Sequence, residues 1–292
     1  MEKVTEELKQ EQILEIEIPS VIPTGFSDFD EMIGGGFKKG EMIVLAARPS
    51  IGKTALALNM IRNIVMKKDD AYSVVLFSLE MSEKQVVRRM ISTEAQVPYI
   101  SFLDGSFRDN ERQKIEQAEK ELSKAKLYID HTRGITLSEL EEKSRKLKEE
   151  HDIDLIVIDY LQLVRVGESV KSGREAITLI SGGIKKLAKD LDIPILVLAQ
   201  VNREVEKGVN PKAIPKLSHL RDSVAIEQDA DVIVFLHRNR DESQESPPTV
   251  LDAKLLVEKN RNGETGVVDL FFHPRLMEFC PVEHKYKESE RR

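Results

Sequence analysis

The sequence is poor in the residues that form disulfides, metal clusters and large aromatic surfaces. Among its 292 residues, Cys280 is the only cysteine and tryptophan is absent. A single cysteine excludes an intrachain disulfide and a cysteine-based metal site, and the six histidines are scattered without ligand spacing. There is no signal peptide and no apolar run long enough to cross a bilayer, so we predict no membrane partner and a cytoplasmic location.

The composition that remains is typical of a globular, helix-rich protein. Hydrophobic residues make up 40% and charged residues 33% of the chain, whose net charge is −7. This charge argues against a surface covered in DNA-binding residues but permits a local basic lining. Residues 1–22 are charged and too poor in apolar residues for a core. We therefore predict an N-terminal arm over 1–22, one large domain over 23–284 and a charged tail over 285–292.

Apolar strand patterns alternate with helical patterns through the large domain. Strands are predicted at 42–46, 74–79, 128–130, 153–158, 193–199 and 231–236, and helices at 55–60, 82–95, 109–126, 137–150 and 175–191. Nearly continuous apolar strands that alternate with helices predict an α/β fold with a mostly parallel sheet covered on both faces. Residues 251–258 and 265–272 are predicted to form a C-terminal β-hairpin, because Asn262-Gly263 between them favours a tight turn.

One stretch has the pattern of a phosphate-binding P-loop between a strand and a helix. It reads Ala47-Arg48-Pro49-Ser50-Ile51-Gly52-Lys53-Thr54. Consecutive backbone N–H groups and the start of a helix make such a loop a seat for phosphate. We expect Lys53 to reach the β- and γ-phosphates of ATP and the Thr54 hydroxyl to hold Mg²⁺. The general pattern begins with glycine, so Ala47 requires a backbone that avoids positive φ.

Three more predicted strands end at polar side chains, at Glu80, Asp159 and Gln200. Ligands bind outside the carboxyl ends of the strands in open parallel sheets, which places all three beside the P-loop. Asp159 would support Mg²⁺, Glu80 would orient and deprotonate the attacking water, and Gln200 would sense the γ-phosphate. Each residue has a structural alternative. Asp159 would then be an ordinary acid at a strand end, Glu80 an acid favoured by a helix dipole, and Gln200 a polar cap of its strand.

The roles of two basic segments remain open at the level of the sequence. Residues 202–221, which begin with Asn202 and Arg203, either move against nucleic-acid phosphates or form a solvated loop. Lys259 and Arg261 lie at the predicted hairpin tip. They are either solvated tip charges or fingers that enter the ATP site of a neighbouring subunit.

Five stretches, in this order, make residues 22–283 similar to the RecA-like motor domain of DnaB-type replicative helicases. They are Ala46-Ala47-Arg48-Pro49-Ser50-Ile51-Gly52-Lys53-Thr54, Phe77-Ser78-Leu79-Glu80-Met81, Ile158-Asp159-Tyr160-Leu161-Gln162-Leu163, Leu198-Ala199-Gln200-Val201-Asn202-Arg203 and Ile226-Glu227-Gln228-Asp229-Ala230-Asp231. The family's P-loop also begins with alanine. The resemblance implies a homo-hexameric ring around single-stranded DNA, with ATP between subunits, that unwinds duplex DNA in replication.

The resemblance also assigns roles to particular residues. It implies that Glu80 is the catalytic base, Asp159 the Mg²⁺ acid, Gln200 the γ-phosphate sensor, and Lys259 with Arg261 the finger pair that reaches the next subunit. Arg221-Asp222-Ser223 is similar to the loop that grips the DNA backbone, and we count Arg203 as a further DNA-binding residue.

The sequence departs from the family at three places. Val224 stands where the grip motif usually continues with glycine, and Gly182-Gly183 lies inside a predicted helix, which predicts a kink or a flexible join. The family's N-terminal collar domain, which engages primase, has no counterpart in this sequence, which is either a natural short form or a longer protein whose start was removed. The arm is then expected to dock on the next subunit as the family's linker helix does. The implied partners are therefore single-stranded DNA, further copies of this chain, and a helicase loader or primase.

Two other functions are compatible with a P-loop in this setting. One is a RecA-like recombination, repair or clock-type ATPase, against which the stretches at 46–54 and 226–231 argue. The other is a nucleotide-regulated DNA-binding ring without unwinding activity, against which intact Lys53, Glu80 and Asp159 argue.

Overall fold

The computed structural model describes residues 20–67, 72–167, 170, 172–201, 217, 224–238 and 249–282. The strands are β1 (Val21–Ile22), β2 (Phe37–Lys38), β3 (Met42–Ala47), β4 (Val74–Ser78), β5 (Leu127–Asp130), β6 (Leu155–Asp159), β7 (Ile195–Gln200), β8 (Val232–Arg238), β9 (Leu251–Asn260), β10 (Gly266–His273) and β11 (Glu278–Pro281). The helices are α1 (Ser27–Met32), α2 (Lys53–Val65), α3 (Glu83–Ala95), α4 (Ser101–Asp104), α5 (Asp109–Leu122), α6 (Leu137–His151), α7 (Gly173–Leu191) and α8 (Val224–Asp229), with a 3₁₀ helix at Leu161–Leu163.

Nine of these strands form one sheet, in the order β11-β10-β9-β8-β3-β7-β6-β4-β5. The six strands from β8 to β5 are parallel, whereas β9, β10 and β11 add to the edge of β8 as antiparallel strands. The predicted α/β fold, with a mostly parallel sheet and a C-terminal hairpin, is therefore confirmed. The sequence did not predict β11, a four-residue strand that ends in proline, or the small antiparallel sheet of β1 and β2.

Apolar side chains pack on both faces of the sheet. Its strands therefore do not alternate between polar and apolar residues. In β3, Ile43 and Leu45 pack on the face that carries α2 and α3, whereas Met42 and Val44 pack on the face that carries α6 and α7. Strands buried on both faces need apolar residues at successive positions. Among the described helices, none is long and apolar enough to span a bilayer.

Helix α7 continues without a break through Gly182 and Gly183, where the sequence predicted a kink or a flexible join. A Cβ atom at Gly183 would lie 2.6 Å from Cδ2 of Leu137, the first residue of α6. Gly183 therefore permits the close approach of α6 and α7. A capping box starts α6, with the Glu139 amide donating to Thr136 Oγ1 and the Glu139 carboxylate accepting from the Thr136 amide.

A buried carboxylate organises the turn that leads into α1. Asp30 accepts hydrogen bonds from the Thr24 amide (2.9 Å), the Thr24 hydroxyl (2.7 Å) and the Gly25 amide (3.1 Å). These donors favour the charged form, but burial dominates and raises the pKa of Asp30 from 3.8 to about 6. The native state therefore holds this proton more tightly than the unfolded chain does.

The raised pKa of Asp30 predicts a stability that falls with rising pH. Ionising a buried carboxyl destabilises the native state, so stability should be lost between pH 4 and 6 and then level off. The variant Asp30→Asn cannot ionise. The free energy of unfolding of the parent, relative to this variant, should decrease by about 1–3 kcal/mol from pH 4 to pH 7 in denaturant titrations. An increase over this range would show that the three hydrogen bonds outweigh burial.

Candidate nucleotide-binding site

The structure brings four of the predicted functional strand ends to one edge of the sheet. The strands β3, β7, β6 and β4 are consecutive in the sheet. Ala47 is paired with Gln200, and Ser78 is paired with Asp159. Glu80 follows two residues after the end of β4 and is exposed. These residues are far apart in the sequence, but the carboxyl ends of parallel strands place them together.

The P-loop turns sharply between β3 and α2. Ala47 is the buried last residue of β3 and is not among the described residues with positive φ, so its Cβ causes no strain. The left-handed residues of the loop are Ser50, with φ of 63°, and Gly52, with φ of 110°. Arg48 and Pro49 are half-buried, whereas Ile51 is buried.

The N-terminus of α2 is left without a side-chain cap. Its N-cap residue is Gly52, and the first turn holds no acidic residue. By contrast, Ser82 and Thr136 form capping boxes with α3 and α6. The first N–H groups of a helix have no partner within the helix, so an uncapped start after a turned loop suits an anion such as phosphate.

Lys53, Thr54 and Asp159 form the centre of the site. The Thr54 hydroxyl donates to Asp159 Oδ2 at 2.8 Å, and Lys53 Nζ lies 3.9 Å from Asp159 Oδ1. The Lys53 ammonium also lies 4.6 Å from the centroid of the Tyr160 ring, a cation–π contact. An ammonium, a hydroxyl and a carboxylate, groups suited to a Mg²⁺–phosphate group, are thus gathered at the start of one helix and the end of one strand.

The charges at this centre are poorly solvated. Burial lowers the pKa of Lys53, and the negative charges of Asp159 and Glu80 oppose this shift. Burial raises the pKa of Asp159, and the positive charge of Lys53 opposes it. The negative charge of Glu80 adds to the raised pKa of Asp159 and opposes the lowered pKa of Lys53. Added negative charge, such as that of a polyphosphate, would favour the charged form of Lys53.

The donor set fits a magnesium ion that is shared with a nucleotide. Asp159 Oδ1 is buried and has no hydrogen-bond partner in the part of the chain that the structure describes. Within the same described ranges, no group of three or more His, Cys, Asp or Glu side chains could hold a metal. Mg²⁺ is commonly bound by one or two protein oxygens together with substrate phosphates and water, so Thr54 and Asp159 suffice.

The sequence did not single out two further side chains at this edge. One is Tyr160, whose ring contacts Lys53. The other is Arg238 at the end of β8, which donates to the Ser50 carbonyl (3.2 Å) and lies 4.5 Å from the centroid of the Phe272 ring. The strand-end rule that indicated Asp159 could have indicated Arg238. The contact between Lys53 and Tyr160 had no signal in the sequence.

Lys259 and Arg261 lie at the opposite edge of the sheet. Because β9 is antiparallel to β8, Lys259 is paired with Ile233 and Asn260 with Val232, near the start of β8. Strands rise about 3.3 Å per residue, which puts the tip of the hairpin roughly 15 Å or more from the P-loop edge. Neither cation can reach the Lys53 site of its own chain in this arrangement.

Both cations bind the C-terminal end of α8 and the two residues that follow it. Lys259 Nζ donates to the carbonyls of Glu227 (2.5 Å) and Ala230 (2.6 Å). Arg261 donates to the Gln228 carbonyl, and its Nη1 lies 3.4 Å from Asp231 Oδ1. They are therefore not simply solvated tip charges. Burial, and then the charge of Arg261, lowers the pKa of Lys259.

Asp231 is the buried carboxylate that receives Arg261. It also accepts hydrogen bonds from the Met42 amide at 2.8 Å and from Lys185 Nζ at 2.6 Å. The hairpin tip is thus tied to the first residue of β3, the strand that leads to the P-loop.

The predicted DNA-binding residues Arg203, Arg221, Asp222 and Ser223 lie outside the described residues, as do residues 1–19 of the predicted arm and the tail. Val224, the departure from the family pattern, is the first residue of α8, and 61% of its surface is exposed.

A P-loop at the carboxyl edge of a mostly parallel sheet, with an acidic residue at the end of a nearby strand, defines a RecA-like nucleotide-binding protein. The chain belongs to the family of DnaB-like helicase C terminal domains, whose family model matches residues 21–281.

Relatives and solved structures agree with this assignment. The chain is 37% identical over 270 residues to the replicative DNA helicase DnaB of Geobacillus stearothermophilus, covering 92% of this chain and 58% of that relative. The ATPase domain of G40P is similar with a TM-score of 0.83 and 31% identity, over 96% of this chain and 98% of that one. A DnaB-like replicative helicase, solved in a study of its interactions with primase, has a TM-score of 0.83 and 29% identity, over 97% of this chain and 67% of that one.

Proposed function

We propose that this chain is an ATP-driven motor that moves along single-stranded DNA and unwinds duplex DNA during replication. It would act in the cytoplasm as a homo-hexameric ring. The observation that carries this proposal is the division of the ATP chemistry between two edges of one sheet. Lys53, Thr54 and Asp159 lie at the carboxyl edge, whereas Lys259 and Arg261 lie at the amino edge. A ring of identical subunits brings such edges together.

Within one subunit, each polar group at the carboxyl edge has a distinct task. Lys53 binds the β- and γ-phosphates of ATP, and Thr54 with Asp159 holds Mg²⁺. When bound, Mg²⁺ supplies positive charge against the phosphates. Glu80, an exposed carboxylate beside Lys53 and Asp159, takes the proton of the attacking water. Gln200 senses the γ-phosphate, and the segment that begins two residues later in the sequence would carry its loss to the DNA.

Between subunits, Lys259 and Arg261 supply the cations that stabilise the transferred phosphate of the neighbour. Their hydrogen bonds to the carbonyls of Glu227, Gln228 and Ala230 hold both cations at the C-terminal end of α8. We propose that Arg203 and the segment Arg221-Asp222-Ser223 grip the DNA backbone. A primase is a candidate partner because one structural neighbour was solved in a study of its interactions with primase, and a helicase loader is another.

ATP hydrolysis and fork unwinding test this proposal together. The full chain should hydrolyse ATP only with Mg²⁺, faster with single-stranded DNA, and should separate a forked duplex labelled for strand displacement. Lys53→Ala should abolish both activities, whereas Lys67→Ala, at the other end of the α2 segment, should change neither.

Each alternative function gives a different result in these assays. A recombination or repair ATPase would hydrolyse ATP with DNA but leave the fork annealed while pairing homologous strands. A DNA-binding ring without motor activity would show nucleotide-dependent DNA binding with no DNA-stimulated turnover.

A further inference from the structure

The end of strand β7 extends beyond its neighbour β6. Pairing between the two strands ends at Ile158 with Val197, and β6 itself ends at Asp159. On its other side, β7 stays paired with β3 as far as Ala47 with Gln200. Gln200 is therefore held by a strand on one side only.

The hydrogen-bond directions show which groups of Gln200 lack a strand partner. In a parallel ladder, successive residues bond to alternate neighbouring strands. The Ile195 amide donates to the carbonyl of Glu41 (2.9 Å), the residue before β3. The Val201 amide donates to the carbonyl of Ala47 (3.1 Å), the last residue of β3. The N–H and C=O groups of Gln200 must then face the side of β6, where β6 has already ended.

The side chain of Gln162 occupies this place. Its Nε2 donates to the Gln200 carbonyl at 3.2 Å, and its Oε1 accepts from the Gln200 amide at 3.3 Å. Gln162 belongs to the 3₁₀ helix that follows Asp159 and Tyr160, and this turn is anchored by the fully buried Leu161. The Gln162 carboxamide thus takes the place that a peptide group of β6 would fill if β6 continued beyond Asp159.

We propose that Gln162 is a positioning residue that sets the direction of the Gln200 side chain toward the nucleotide. Both bonds require a donor and an acceptor on one planar group, which Gln supplies and Glu or Met does not. The pair ties the segment that carries Asp159 to the last residue of β7. This inference rests on the proposed γ-phosphate sensor role of Gln200.

Gln162 is exposed and Gln200 is half-buried, so the pair contributes little to stability. Hydrogen bonds between neutral groups in contact with water each stabilise a protein by about 1 kcal/mol or less. The variant Gln162→Met should therefore fold, with nearly the unfolding midpoint of the parent. Its effect should appear in catalysis, where small misplacements of a reacting group lower rates by factors of about 10 to 100.

A double-mutant cycle between Gln162 and Gln200 tests the proposal in DNA-stimulated ATP hydrolysis. We expect Gln162→Met to lower kcat by about 10- to 100-fold while KM for ATP changes by less than about threefold. Gln162→Glu, which keeps the acceptor but loses the donor, should be impaired as well. In the Gln200→Ala background, Gln162→Met should cause little further loss, because both act through the same side chain.

The matched control is Gln117→Met. Gln117 is an exposed glutamine of α5 that donates one hydrogen bond to Glu121 at 3.0 Å, and its loss should leave kcat unchanged. Hydrogen exchange gives a measurement independent of activity: residues 198–201 should exchange faster in Gln162→Met than in the parent, and strands β6 and β4 should not.

The outcomes separate this inference from the proposed function. If Gln200→Ala hydrolyses ATP at the parent rate, the sensor role itself is wrong and the inference falls with it. If Gln200→Ala is slow but Gln162→Met has the parent kcat, the inference alone is overturned. Additive losses in the double variant, or unchanged exchange at 198–201, would also overturn it.

Discussion

Replacing Glu80 with glutamine should abolish ATP turnover and leave ATP binding intact. The amide keeps the size of the carboxylate but cannot accept the proton of the attacking water, and loss of such a base lowers rates by about 10²- to 10⁴-fold. The position supports this role, because Glu80 is exposed beside the half-buried Lys53 and the buried Asp159, on the edge where the nucleotide would lie. Steady-state hydrolysis and equilibrium nucleotide titration measure the two effects separately.

The matched control for Glu80 is Glu83→Gln. Glu83 is an exposed acid in the first turn of α3, three residues further along, and its variant should hydrolyse ATP at the parent rate. Hydrolysis by Glu80→Gln at the parent rate would show that Glu80 is not the base. Loss of nucleotide binding in Glu80→Gln would show that the negative charge of Glu80 supports nucleotide binding rather than activation of the attacking water.

Arg261→Ala should lower turnover further still while nucleotide affinity changes little. A finger that stabilises transition-state charge raises kcat by about 10³- to 10⁵-fold and contributes little to ground-state binding. The change should not unfold the chain. Asp231 keeps its hydrogen bonds to the Met42 amide and Lys185, and the half-exposed pair with Arg261 is worth about 1 kcal/mol or less.

Lys254→Ala is the control for Arg261. Lys254 is a half-exposed cation of β9, the strand that leads to Arg261, and it forms a salt bridge to Asp269 at 2.6 Å on the surface. Its variant should keep the parent turnover. Arg261→Lys should recover only part of the lost rate, because it restores the charge but not the planar fork of donors. An Arg261→Ala variant with the parent kcat would remove Arg261 from the chemistry.

The sheet and most of the site could be predicted because they depend on local patterns and one rule of topology. Apolar runs such as 153–158 indicated strands buried on both faces. The carboxyl ends of parallel strands then brought Glu80, Asp159 and Gln200 to the P-loop without knowledge of any distance. Helix ends were less accurate, as the end of α5 at Leu122 rather than at residue 126 shows, because the last turns carry no strong signal.

Contacts between side chains from distant segments could not be predicted in this way. The ring of Tyr160 beneath Lys53, the pairing of Gln162 with Gln200 and the packing of Gly183 against Leu137 depend on exact positions in the folded chain. Two glycines in a helix predict flexibility from propensity, but close approach to a second helix is an equally good reason for glycine.

The hairpin shows where sequence and structure complement each other. The Asn-Gly turn indicated the hairpin, but its charged tip remained open to two interpretations. Antiparallel addition of the ten-residue strand β9 to β8 brings Lys259 and Arg261 to the amino edge of the sheet, away from the P-loop of the same chain. We therefore propose that Lys259 and Arg261 act on the ATP site of the neighbouring subunit.

The central claim is that each ATP site is completed by the next subunit, and a mixture of two inactive variants tests it most directly. Glu80→Gln keeps an intact Arg261, and Arg261→Ala keeps an intact Glu80. Mixed rings therefore contain interfaces in which both residues are intact. We predict that ATP hydrolysis returns when the two variants are combined under conditions where subunits exchange, as followed by energy transfer between labelled chains. A mixture that exchanges subunits and stays as inactive as its components would contradict the account.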